Sequence, residues 1–165
     1  MKYILLFLVA SLFAACSTSQ EPKTIYIVRH AEKQLTGNDP ELSVAGNARA
    51  VKLSQILADK DIKHVYSTDY KRTRLTAAAT ASAAGVEIES YDPRNHDELV
   101  EKLKETDGNA LVVGHSNTVG QVANYFVGEG EKYADLSDSE YNFIYVVTLN
   151  EDGTSSVNRQ TYKEF

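Results

Sequence analysis

The sequence predicts an α/β fold of three layers, α/β/α, with helices on both faces of a mostly parallel central sheet that closes in an antiparallel hairpin. Three observations carry this. Short β-branched runs alternate four times with helical patterns, the rhythm of a parallel sheet. The run Ala110-Leu111-Val112-Val113 is apolar throughout, as a strand covered on both faces must be. Finally, Asn150-Glu151-Asp152-Gly153 joins two β-rich runs, 141–149 and 155–162, and an Asp-Gly turn between such runs signals a hairpin.

Taken in order, Thr24 to Val28 is a short β-branched run that stops on Arg29-His30. A loop with Gly, Asn and Pro follows, residues 34–41. Ser43 is a natural N-cap, and Val44, Ala48, Val51, Ile56 and Leu57 fall near helical spacing, which predicts a helix to about Asp59. A second strand is expected at 64–67. An Ala- and Thr-rich helix should then run from Thr68 to Ala84, with Gly85 ending it. Residues 86–91 alternate as a third strand, and Asp92-Pro93-Arg94-Asn95 is turn chemistry. Leu99, Val100 and Leu103 mark a third helix, strand 110–113 ends on Gly114-His115, and a fourth helix runs from Val119 to Phe126.

Residues 1–15 read as an export signal: Lys2, an apolar run from Tyr3 to Phe13, then Ala14-Ala15-Cys16. The pattern resembles a bacterial lipoprotein signal, which implies lipid on Cys16, a tether over 16–23, a single domain over 24–165, and anchorage to a bacterial envelope membrane. An ordinary secretory signal is the competing reading. Cys16 is the single cysteine, so stability must come from a core rather than from internal disulfides. A remainder of roughly 150 residues is large enough for that. The formal charge of −6, with no block of Lys and Arg, excludes nucleic acid as the expected partner.

Cations and imidazoles collect at strand ends. Arg29 and His30 end the first strand, Arg72 lies in the helix start after the second, and His115 ends the fourth. In open α/β sheets ligands sit outside the carboxyl ends of the strands. Two guanidiniums and two imidazoles facing one another there would repel without an anionic guest, and a phosphoryl group fits.

Arg29-His30-Ala31-Glu32, then Tyr66-Ser67-Thr68-Asp69-Tyr70-Lys71-Arg72-Thr73-Arg74-Leu75-Thr76-Ala77, then Val113-Gly114-His115-Ser116-Asn117-Thr118 resemble the three signatures of the histidine phosphatase superfamily, the phosphoglycerate-mutase-like fold. The resemblance implies His30 as the nucleophile, Arg29 and Arg72 as holders of the phosphate, and His115 as the residue completing the pocket. It implies a small phosphorylated substrate, a phosphomonoester or a phosphohistidine, with neither metal nor cofactor. Phosphatase rather than mutase is the expectation, because mutases of the family carry longer insertions. The chemistry is consistent: permanently charged Arg29 and Arg72 disfavour the imidazolium of His30 and leave its lone pair free to attack phosphorus.

The proton donor for the leaving group is less marked. Asp92 stands at the end of the third strand and would need a raised pKa to serve; capping the Asp-Pro turn is its other reading. Asp97 and Glu98 read as helix N-terminal carboxylates, and Glu32 as a residue that orders its loop. Ser116 and Asn117 would hydrogen-bond phosphate or cap the fourth helix. Arg74 reads as a surface residue, His64 as exposed, and His96 as a helix-start residue.

Two rival functions remain at this level. Gly114-His115-Ser116-Asn117-Thr118 approaches a nucleophile elbow with Ser116 as an esterase nucleophile, but no histidine follows it in the chain. His30-Ala31-Glu32 has the form of a zinc-deaminase opening without the cysteines that must follow. A surface lipoprotein that binds an anion without turning it over is a further alternative.

Overall fold

The computed structural model describes residues 21–163. The export signal, Cys16 and most of the tether lie outside the described residues, among which no helix is long and apolar enough to cross a membrane.

The elements follow the expected order: β1 (Lys23–Arg29), α1 (Val44–Leu57), β2 (Ile62–Ser67), α2 (Lys71–Ala84), β3 (Ile88–Ser90), α3 (His96–Glu105), β4 (Asn109–Gly114), α4 (Val119–Asn124), β5 (Phe143–Leu149) and β6 (Ser155–Thr161). They build one six-stranded sheet in the order β3-β2-β4-β1-β5-β6. The pairs β1–β4, β2–β4 and β2–β3 are parallel, and β1–β5 and β5–β6 are antiparallel. The hairpin thus adds an antiparallel edge to a parallel sheet.

Alternation along each strand sends side chains to two cores. On one face Ile25, Ile27, Val112 and Tyr145 pack under α3 and α4, through Leu103, Val122 and Phe126. On the other, Tyr26, Val28, Val113 and Ile144 pack under α1 and α2, through Leu53, Ile56 and Ala77. The neighbouring strands β1 and β4 are therefore followed by helices on opposite faces, which opens a crevice at their carboxyl ends.

Several local expectations shift. Strand β1 begins at Lys23, inside the expected tether. Its buried ammonium donates to the carbonyl of Lys104, at 2.8 Å, and to that of Thr106, which satisfies orphan acceptors at the end of α3. Helix α1 starts after Ser43, whose hydroxyl accepts from the Gly46 amide. The face it buries is Gly46, Ala50, Leu53 and Leu57, while Val44 and Val51 are exposed. Gly46 is required there, because a Cβ would lie 2.1 Å from the Glu32 carbonyl oxygen. Helix α2 starts three residues later than Thr68, and Gly85 ends it in the left-handed region at φ 69°.

Candidate active site

Sheet register assembles the site. Arg29 pairs with Gly114 across β1 and β4, so the residues that follow, His30 and His115, leave the sheet side by side. The His30 amide donates to the Gly114 carbonyl at 2.9 Å, and the two rings meet edge to face with centroids 5.6 Å apart. Both histidines are buried.

His30 Nδ1 lies 2.8 Å from the Ala31 carbonyl oxygen. A carbonyl only accepts, so Nδ1 carries the hydrogen and Nε2 the lone pair. Burial, and then the charges of Arg72 and Arg29, push the His30 pKa down to about 3. For His115, burial and the same two guanidiniums bring it to about 4. Both rings are neutral at pH 7.

The guanidiniums differ in how they are used. Arg29 Nη1 donates to the carbonyls of Ser137, at 2.8 Å, Glu140, at 3.1 Å, and Asp138, at 3.4 Å, while Nη2 reaches the Tyr141 hydroxyl at 3.3 Å. Its charged plane lies 4.0 Å from the centre of the Tyr141 ring. Arg29 therefore ties down the loop 137–141 as well as standing beside His30. Arg72 is more loosely held: Nη2 lies 3.4 Å from His115 Nδ1, Nη1 lies 3.7 Å from the Asp39 carboxylate, and the Tyr70 ring stacks at 4.5 Å. Its donors remain available to a ligand.

These groups line a cleft of about 400 Å³ together with Ser116, Asn117, Lys33, Tyr70, Arg94 and Asp138. All four residues expected at the core of the site, Arg29, His30, Arg72 and His115, thus come together. Ser116 and Asn117 line the same cleft. The expected capping alternative for them does not occur, since α4 is preceded by Thr118, whose hydroxyl accepts from the His115 amide.

Asp92 departs from its expected part. Its carboxylate accepts from the Arg94 amide at 2.9 Å and from the Arg94 guanidinium at 3.1 Å. Those bonds hold its pKa below the usual carboxylate value. An acid needs the opposite shift, so the Asp-Pro turn is what this carboxylate serves. Asp138 lines the cleft and meets Arg29 through its backbone carbonyl.

Glu32 forms a two-pronged pair with Arg49, at 2.9 and 2.5 Å, and orders the loop after β1. Arg74 is exposed and bonded to Ser90 and Asp69. His96 opens α3, and Asp97 and Glu98 stand in its first turn. His64 is half-buried rather than exposed, stacked on Tyr66 with Nε2 3.0 Å from the Asp107 carbonyl. Lys33, Tyr70, Arg94 and Asp138 carried no signal of their own in the sequence, being loop residues set beside the crevice by the strands. Both nitrogens of His115 are engaged with Thr68 and Arg72, so the imidazole beside Ser116 in the chain is not free to activate it as an esterase would need. Among the described residues no three His, Cys, Asp or Glu side chains gather as a metal site.

Known proteins agree with this architecture. A family model described as the histidine phosphatase superfamily (branch 1) matches residues 25–94. The Escherichia coli protein named "Probable phosphoglycerate mutase GpmB" is 30% identical over 125 residues, covering 69% of this chain. The chain spans 58% of the length of that curated relative. Among solved structures, the protein histidine phosphatase SixA complexed with tungstate superposes with a TM-score of 0.68 at 19% identity, covering 86% of this chain and 98% of that one. A phosphoglycerate mutase from Bacillus anthracis gives a TM-score of 0.68 at 14% identity, covering 86% of this chain and 94% of that one. At such identities these two structures speak to the fold.

Proposed function

We propose that this chain, which belongs to the histidine phosphatase superfamily, is a phosphatase that hydrolyses a phosphomonoester or a phosphohistidine through a phosphohistidine formed on His30. The observation that carries the reading is the state of His30: neutral, buried, and holding its Nδ1 hydrogen on the Ala31 carbonyl, so that Nε2 offers a lone pair to the cleft.

In the first step Nε2 attacks phosphorus, the N–P bond forms, and the bond to the leaving group breaks. In the second, water attacks phosphorus, the N–P pair returns to Nε2, and inorganic phosphate leaves. Arg72, with Arg29 behind it, meets the charge on the equatorial oxygens. His115, whose Nδ1 accepts from Arg72, holds that guanidinium beside the transferring group. With Asp92 turned to Arg94, leaving groups that need little help from an acid, such as an aryl oxide or an imidazole, suit this cleft best.

The second reading, an anion-binding protein without turnover, draws its support from the same want of an acid. Phosphate release from an aryl phosphate in excess chelator separates the two. Turnover supports the phosphatase, whereas binding of inorganic phosphate without turnover supports the other reading. Export and lipid attachment rest on Lys2, the apolar run and Ala14-Ala15-Cys16. On this reading Cys16→Ser releases the protein from the membrane fraction.

A further inference from the structure

We infer that Thr68 is a positioning residue for His115: its hydroxyl holds the Nε2 hydrogen and so turns the Nδ1 lone pair toward Arg72 and the cleft. The inference rests on the phosphatase reading for its consequence, though not for its geometry.

The hydrogens can be assigned one by one. Arginine only donates, so the contact at 3.4 Å between Arg72 Nη2 and His115 Nδ1 makes Nδ1 an acceptor. A neutral imidazole has one lone pair, so Nε2 bears the hydrogen. Thr68 Oγ1, at 2.9 Å from Nε2, then accepts it. The Thr68 hydroxyl spends its own hydrogen on Thr73 Oγ1, at 3.0 Å. Thr73 in turn reaches the backbone carbonyls of Thr68 and Tyr70, each at 2.8 Å. The opposite assignment, with Thr68 donating to Nε2, would set the Nδ1–H against a guanidinium hydrogen.

Sheet register puts Thr68 where it can do this. Ser67 pairs with Val113, so Thr68 leaves β2 level with Gly114, one residue before His115, and it is fully buried. Buried hydroxyls are seldom left without a set partner, so the tautomer is held firmly. With Nε2–H held by Thr68, the Nδ1 lone pair fixes Arg72 Nη2, and the guanidinium so placed meets the phosphoryl oxygens.

Thr68→Val keeps the shape and removes the hydroxyl, and Thr68→Ser restores it. We expect kcat for an aryl phosphate to fall about tenfold in the first and to stay within about threefold of wild type in the second. Nitrogen NMR of the ligand-free protein should show His115 as the Nε2–H tautomer in wild type and as a mixture in Thr68→Val, at an unchanged far-ultraviolet spectrum. Equal kcat in wild type and Thr68→Val, equal losses in both variants, or an Nδ1–H tautomer in wild type would overturn the proposal. A wild-type protein with no turnover would count against the phosphatase reading, and the NMR result would then judge Thr68 by itself.

Discussion

The Nδ1 hydrogen of His30 rests on the carbonyl oxygen of Ala31 at 2.8 Å, a bond between neighbouring residues that decides which face of the ring is nucleophilic. That bond favours the charged ring, yet burial outweighs it and keeps the ring neutral.

Burying two neutral histidines links stability to pH. Both folded pKa values, about 3 and about 4, lie below the ordinary 6.5, so between these limits the unfolded chain binds more protons than the folded one. Stability is full above about pH 6.5 and falls as the solution is acidified toward pH 4. Urea titrations at pH 7 and pH 5 should show that decline, and His30→Asn should reduce it. An identical decline in the variant would mean His30 is not held neutral.

The two guanidiniums should separate under mutation. Arg72→Met removes a loosely held cation that faces the cleft, so kcat/KM falls about 100-fold or more with the melting temperature nearly kept. Arg29→Met also strips the 137–141 carbonyls of their donor and costs about 1–3 kcal/mol of stability besides activity. Parallel melting and kinetic measurements on both variants check this contrast.

Asp92→Asn should leave kcat for an aryl phosphate within about threefold of wild type, since a carboxylate bound to Arg94 supplies no proton. A bell-shaped pH profile whose alkaline limb vanishes in the variant would return Asp92 to the reaction as its acid.

Gly46→Ala brings a methyl group against the Glu32 carbonyl at 2.1 Å, so helix α1 must shift from the loop that follows β1. Overpacking of this kind costs about 1–3 kcal/mol, readable as a lower denaturant midpoint.

Much of the sheet was legible because its strands are short β-branched runs and its chemistry sits at their ends. Arg29, His30, Arg72 and His115 could be named from their places after β1, β2 and β4, since parallel register carries successive strand ends to one crevice. Side-chain choices among close neighbours were harder to read. Val44 and Val51 suited a helical stripe, but the close approach of Gly46 to Glu32 turns another face inward. Asp92 stood at the proper strand end, and Arg94, two residues on, captures it through a local turn. The second duty of Arg29 depends on a loop more than a hundred residues away, which no local pattern announces.

Rapid quench with a labelled aryl phosphate tests the central claim most directly. Wild type should carry acid-labile, base-stable phosphate within one turnover, and His30→Ala should carry none. Label of equal amount on both proteins, or label stable to acid, would contradict an intermediate on His30.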